Sequence, residues 1–133
     1  MNRNDFGLVK NLTAAAAIKP RRVVVFGATE GEVSAAASAT AKPLVGVTGI
    51  VGATDAKQRV DVYLDGVRDV EAGAAFGQGV YLTSDAEGRV IAAAPAATVT
   101  QHTIGKSLGA STGLGELVPV HILPAPLSNA VNS

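Results

Sequence analysis

Apolar and polar side chains alternate in two stretches of the chain. In residues 59–65 every second side chain is aliphatic, namely Val60, Val62 and Leu64. In residues 116–123 the same spacing is kept by Val118, Val120 and Ile122. A period of two is typical of a β-strand with one buried face. We therefore predict a half-buried strand in each stretch.

Other stretches have strand composition without strict alternation. Residues 22–26 are a continuous β-branched run that stops at Gly27, which is typical of a buried strand. Residues 44–51 hold two glycines among β-branched residues, so a bend or bulge is predicted there. The polar turn 84–88 predicts a hairpin between its flanking strands. The remaining strand candidates are residues 32–40, 80–83, 89–91 and 98–104.

About eight short strands at regular spacing, with no sustained helical period, predict an all-β fold. The expected architecture is a small β-barrel or β-sandwich. Residues 71–76 are too few for an independent helix, so at most one short helical turn is expected there. Pro119 cannot donate a hydrogen bond to a neighbouring strand, which predicts a sheet edge at that position.

The chain is predicted to form one β domain, residues 22–123, between two extensions. Residues 1–21 show no sustained period and are predicted to be an extended N-terminal arm. Residues 124–133 begin with Pro124 and Pro126, which are expected to stop the last strand, and are predicted to be a loose C-terminal tail. Alanine and glycine are abundant and aromatic residues are few, so the core is expected to be thin and assembly to complete the stability.

The formal net charge is zero, which gives no overall attraction to nucleic acid or to anionic lipid. The charge is nevertheless uneven, because residues 1–22 carry five bases against Asp5 alone, whereas residues 54–90 carry seven acids against four bases. A basic arm and an acidic body suit one subunit that grips another, or a larger acidic partner; an ordinary solvated surface is the alternative. The interface candidates in this segment are Phe6, Leu8, Val9, Leu12, Arg21 and Arg22.

Motifs that suggest chemistry are incomplete. The sequence at 105–107 resembles the end of a phosphate-binding loop, but it lacks the upstream glycine and the following helix. Ser111 lies in a G-x-S-x-G spelling without the strand-to-helix context that a nucleophile needs. His102 and His121 have no ligand companions at zinc-site spacing. Asp85 and Glu87 are too few for calcium. No catalytic, cofactor-binding or metal residue is therefore expected.

Three further features limit the function classes. The absence of cysteine leaves no disulfide and no thiolate chemistry. The chain has no apolar run of the length that spans a bilayer and no signal-peptide core, so a soluble protein made in the cytoplasm and without a membrane partner is expected. Asp61 and Asp65 lie on one strand face, but their separation along a strand is too large for a catalytic carboxylate pair.

The order of the strand segments resembles that of the small decoration, or cement, proteins on the capsids of tailed bacteriophages. The similarity extends over about residues 22–123. It is carried by apolar and glycine patterns rather than by catalytic signatures, in residues 43–47, 60–66, 72–82, 87–90, 104–109 and 118–122.

This resemblance implies a structural role. It implies a non-enzymatic virion protein, made in the cytoplasm of the host bacterium, that binds the major capsid protein on the outer capsid surface, commonly as a homotrimer, and stabilises the shell. We also expect the N-terminal arm to reach a neighbouring subunit or the shell. Another phage structural module, such as a head-fibre base or a tail component, is the alternative. An enzyme or small-molecule binder is the least favoured class.

Overall fold

A computed structural model describes residues 8–36, 43–94 and 100–128 of the 133-residue chain. Within these ranges the chain has ten strands and no helix, which confirms the predicted all-β fold. The strands are β1 (Val9–Ala14), β2 (Val23–Phe26), β3 (Glu32–Ala35), β4 (Leu44–Thr48), β5 (Arg59–Tyr63), β6 (Gly66–Glu71), β7 (Tyr81–Ser84), β8 (Val90–Ala92), β9 (Thr100–Ser107) and β10 (Leu117–Ser128).

The strands form two packed units. Five of them make a closed barrel in the order β1-β3-β2-β4-β5, and the other five make a sheet in the order β6-β10-β9-β7-β8. The barrel closes through an antiparallel pair between β1 and β5 and a short parallel pair between β1 and β3. Closure leaves few unpaired backbone groups in this unit, which suits a small domain with small side chains.

Strand β2 has a different core on each of its faces. Val24 points into the barrel, where it packs with Val33 and Val62. Val23 and Val25 point the other way, into the core between the barrel and the five-stranded sheet. The uninterrupted valine run of this strand follows from this position, because a strand that is buried on both faces has no place for alternating polar residues.

Part of the segment predicted as an N-terminal arm belongs to the barrel. Residues 9–14 are strand β1, and Leu12 and Ala14 are buried inside the barrel. These two side chains are buried because β1 pairs with β5, which is far away in sequence. The local sequence therefore did not predict this strand. Residues 1–7 lie outside the described residues, and an arm there stays a prediction.

The last strand also differs from the prediction. Strand β10 continues through both tail prolines to Ser128, with a β-bulge between Ile122 and Ala125, so the prolines do not stop it. It lies between β6 and β9, so the prediction of a sheet edge at Pro119 is wrong. The Pro119 carbonyl accepts a hydrogen bond from the Leu108 amide at 2.9 Å. The proline nitrogen therefore faces Leu108, one residue past the end of β9, and the pairing with β6 is not interrupted.

A buried arginine joins the two units. The Arg22 side chain, at the start of β2, is only 8% exposed, and its Nη2 lies 3.2 Å from Oε1 of Glu71 at the end of β6. Its Nη1 donates to the Glu87 carbonyl at 2.7 Å, in the turn between β7 and β8. The neighbouring Val23 amide donates to the Gly88 carbonyl in the same turn at 2.7 Å. The start of β2 in the barrel is thus held to β6 and to the turn between β7 and β8, at the two edges of the second sheet.

We predict that Arg22→Met lowers the free energy of unfolding by about 3 kcal/mol, because it leaves the Glu71 carboxylate without its buried cation. Urea denaturation of purified protein measures this change. Lys57→Met is the control, since the Lys57 side chain is 80% exposed and solvent therefore screens its 3.6 Å ion pair with Glu32. That variant is expected to lose less than about 1 kcal/mol. Equal losses in the two variants would show that the buried pair has no special role.

Candidate protein-binding surface

The six residues predicted to form an interface do not form one surface. Phe6 lies outside the described residues. Leu8 and Val9 are exposed at the start of β1, whereas Leu12 is buried in the barrel. Arg21 and Arg22 lie at the junction of the two units.

The two arginines at the junction are occupied within the chain. Arg21 has a φ of 59°, and its carbonyl accepts a hydrogen bond from the Glu71 amide at 3.1 Å, along the outer edge of β6. Its guanidinium lies 3.9 Å from the Asp69 carboxylate. Arg22 is buried with Glu71. Both side chains therefore hold the barrel to the sheet, and their role at an interface stays a prediction.

The chemical motifs of the sequence have local structural roles. The Ser111 hydroxyl donates to the Gly113 carbonyl at 3.0 Å, within its own loop. The Asp85 carboxylate accepts hydrogen bonds from the amides of Glu87 and Arg89, and it forms an ion pair with the Arg89 guanidinium. Together these contacts close the turn between β7 and β8. Among the described residues, no three His, Asp or Glu side chains are grouped so that they could hold a metal ion.

The exposed face of the second sheet carries a row of side chains that crosses four strands. Strand register places His121 of β10 opposite Val67 of β6 and opposite Lys106 of β9. Lys106 is in turn opposite Tyr81 of β7. All four side chains are exposed, and the Lys106 ammonium lies 5.3 Å from the centre of the Tyr81 ring. We call these four residues together with Leu123 the outer sheet face.

A bulge places Leu123 beside this row. The register between β9 and β10 runs from Ile122 opposite Gly105 to Ala125 opposite Thr103, so β10 has one residue more than β9 between the two pairs. Such a bulge redirects side chains, and Leu123 is 61% exposed as a result. With Tyr81, Lys106 and His121 it lines a groove of about 430 Å³.

Gly105 permits the close approach of β9 and β10 beside this bulge. Its φ is 154°, and a Cβ at this position would overlap the carbonyl oxygen of His121 on the neighbouring strand. No side chain can fit there, so β9 and β10 approach more closely at this point than any other residue would permit. The outer sheet face is therefore shaped by a backbone feature that the sequence shows only as a glycine within a strand.

The chemistry of the outer sheet face suits contact with another protein. It combines the aliphatic side chains of Val67 and Leu123 with the Tyr81 ring, the His121 imidazole and the Lys106 ammonium, and aromatic residues are enriched at protein interfaces. Exposed apolar side chains that alternate with polar ones are compatible with a protein-binding site. One signal in the sequence could have indicated this surface. In residues 116–123, Leu117 and Leu123 lie on the side of the strand opposite the buried valines.

Comparison with known proteins identifies the family. A family model described as phage cement protein matches residues 2–122. The chain belongs to the phage cement protein family. The predicted recognition and the predicted role as a structural capsid-associated virion protein are therefore confirmed.

The fold of this cement protein is similar to that of a solved phage structure. The head fiber gp8.5 N base in bacteriophage phi29 superposes with a TM-score of 0.65, at 19% sequence identity, over 87% of this chain and 93% of that one. No curated protein sequence matches the chain. Within the described ranges, there is no helix with the length and hydropathy that crossing a membrane would require.

We predict that Gly105→Ala lowers the free energy of unfolding by about 4 kcal/mol or prevents folding, because the new methyl group overlaps a backbone carbonyl. Chemical denaturation and circular dichroism measure the effect. Gly113→Ala is the matched control, since a Cβ there meets no atom within 4 Å. It is expected to change stability by less than about 1 kcal/mol. Normal stability of the Gly105 variant would mean that the close approach of β9 and β10 is not required.

Proposed function

We propose that this cement protein binds the major capsid protein on the outer surface of a phage capsid through its outer sheet face, and that it stabilises the shell without catalysis. The observation that carries the proposal is the row of exposed side chains across β6, β10, β9 and β7. Membership of the cement protein family supports a capsid as the partner.

The extent of this surface supports a large partner. The row follows the direction of the hydrogen bonds across the sheet, so its side chains lie side by side on four strands, beside the groove of about 430 Å³ that Leu123 lines. Burial of the Leu123 side chain would contribute about 2 kcal/mol to binding. Because a capsid presents many equivalent sites, contacts of modest strength add through multivalency when copies are linked.

Non-enzymatic action is supported by the local structural roles of the side chains that could have carried chemistry. The Ser111 hydroxyl is bonded within its loop, His121 lies in the exposed row, and the Asp85 carboxylate closes a turn. We further propose that the protein is made in the host cytoplasm, assembles as a homotrimer and binds neither nucleic acid nor membrane. Zero net charge supports the absence of a nucleic-acid partner.

A head-fibre base is the second candidate function. It is favoured by the shared fold with the head fiber gp8.5 N base in phage phi29. Both candidates place the protein on the capsid, and they differ in whether it carries a fibre on the side that faces away from the shell. Electron microscopy of particles distinguishes the two functions. A cement protein shows no further density beyond its own domain, whereas a fibre base shows the density of a fibre attached to it.

We predict that Leu123→Asp weakens capsid binding by about tenfold or more, because it places a charge in the apolar part of the contact. Binding of purified protein to capsids that lack it, measured by co-sedimentation over a concentration series, gives the affinity. Leu114→Asp is the control, because Leu114 is similarly exposed, at 66%, but lies in the loop between β9 and β10. Equal affinity of the two variants would rule out the outer sheet face as the binding surface.

A second prediction concerns the N-terminal segment. Deletion of residues 1–7 is expected to lower capsid affinity by about tenfold, through the loss of the apolar Phe6 and the basic Arg3 from a contact with the shell or with a neighbouring copy. The deletion ends there because β1 begins at Val9 and Leu12 is in the core.

The same co-sedimentation series measures this loss, and thermal unfolding checks that the fold is retained. The double substitution Arg3→Ala and Phe6→Ala should reproduce most of the loss without shortening the chain. Unchanged affinity in both variants would exclude the segment from the interface.

A further inference from the structure

The groove of the outer sheet face is basic. Lys106 and His121 line it together with Tyr81 and Leu123, and no acid of the described residues is part of its lining. Strand register places Lys106 opposite His121, so the Cβ atoms of the two residues are about 5 Å apart. Two basic side chains, both of them exposed, therefore lie next to each other on adjacent strands.

Lys106 differs from several other bases of the described surface, because no carboxylate there lies within ion-pair distance of it. The bases that do have a carboxylate partner include Arg21, Arg22, Lys57 and Arg89. The Lys106 ammonium instead lies 5.3 Å from the centre of the Tyr81 ring. A ring face attracts a cation without occupying its three N–H donors, so the ammonium is held in place and can still donate to an acceptor of another molecule.

The acids nearest to this basic pair on the β6 side are engaged with other groups. The Asp69 carboxylate, on β6, is 3.9 Å from the Arg21 guanidinium. The Asp65 carboxylate, just before β6, accepts a hydrogen bond of 2.6 Å from the backbone amide that precedes Val9. Because β10 lies between β6 and β9, neither acid is on a strand adjacent to Lys106. The basic pair therefore has no counter-charge within the described part of the chain.

We propose that this groove receives a carboxylate side chain of the major capsid protein, with an apolar neighbour of that carboxylate packed against Leu123. The carboxylate would accept hydrogen bonds from the Lys106 ammonium and from a ring N–H of His121. A base opposite a base gives none of the stabilisation that an acid opposite a base gives across two strands. Residues that break a local rule in this way are expected at functional sites. The assignment rests on the proposed function and deepens it, because it names the chemistry of the partner.

A zero-length cross-link tests the contact itself. A water-soluble carbodiimide joins an amine to a carboxylate where the two groups touch, and mass spectrometry of digested particles identifies both residues. We expect Lys106 to be linked to an Asp or a Glu of the major capsid protein. Lys19, which is exposed on the barrel, is expected to remain unlinked. Absence of a link from Lys106 to the capsid protein would overturn the proposal, as would links from Lys106 to other copies of this chain alone.

Charge substitutions measure the strength of the contact. Lys106→Glu is expected to lower capsid affinity by about tenfold or more, and Lys106→Arg to keep most of it. Lys19→Glu is the matched control, because it makes the same change of net charge outside the groove. Raising the salt concentration from about 0.1 M to about 1 M should weaken binding of the wild type more than binding of Lys106→Met, because salt screens the charge pair. Equal affinities of Lys106→Glu and Lys19→Glu would contradict the proposal.

A neutral substitution separates this inference from the proposed function. Leu123→Ser removes the apolar contact without a change of charge, so it tests only whether the outer sheet face binds the capsid. If Leu123→Ser weakens binding and Lys106→Glu does not, the face binds the capsid without a carboxylate, and this inference alone is wrong. If neither variant weakens binding, the proposed capsid-binding surface is wrong as well. Circular dichroism checks that each variant is folded.

Discussion

The double burial of β2 is the constraint on which the rest of the structure depends. Val24 fills the barrel, while Val23 and Val25 fill the second core, so one strand of four residues serves two hydrophobic interiors. Among the described residues no aromatic side chain is fully buried in either core, and Tyr63 and Phe76 only pack against the second one. Sharing a wall gives each unit a buried strand that it would otherwise lack. The Arg22 pair with Glu71 then fixes the register of the two units at the start of that wall.

The glycines with close backbone contacts mark where this shared architecture is shaped into surfaces. Gly105 lets β9 and β10 approach so closely that a bulge turns Leu123 outward. Gly52 lets the loop after β4 lie against the segment before β2, so that the neighbouring Ile50 and Val51 side chains project from the barrel. The two surfaces are thus built into the backbone, on different units of the molecule.

The sequence predicted the features that depend on local patterning. The valine run of β2, the alternation in β5 and β10 and the turn at Asp85 all have the structures that their residue types favour. It did not predict β1, because Leu12 becomes buried only through pairing with β5, far along the chain. It also did not predict the outer sheet face. That row exists only once the registers of four strands are known, and no single segment contains more than one of its first four members.

Strand β10 has a mechanical consequence for a protein of this family. It is the longest strand, twelve residues, and it is paired on both edges, with β6 along its first half and with β9 along most of its length. Hydrogen bonds between antiparallel strands are perpendicular to the strand direction. A tensile force along β10 therefore loads these bonds in shear and must break many of them together, whereas a force that peeled the strand away would break them one by one. A shell under internal pressure stretches the proteins attached to it along the plane of its surface. A sheet that is stretched along β10 would therefore resist a high force before its strands separate.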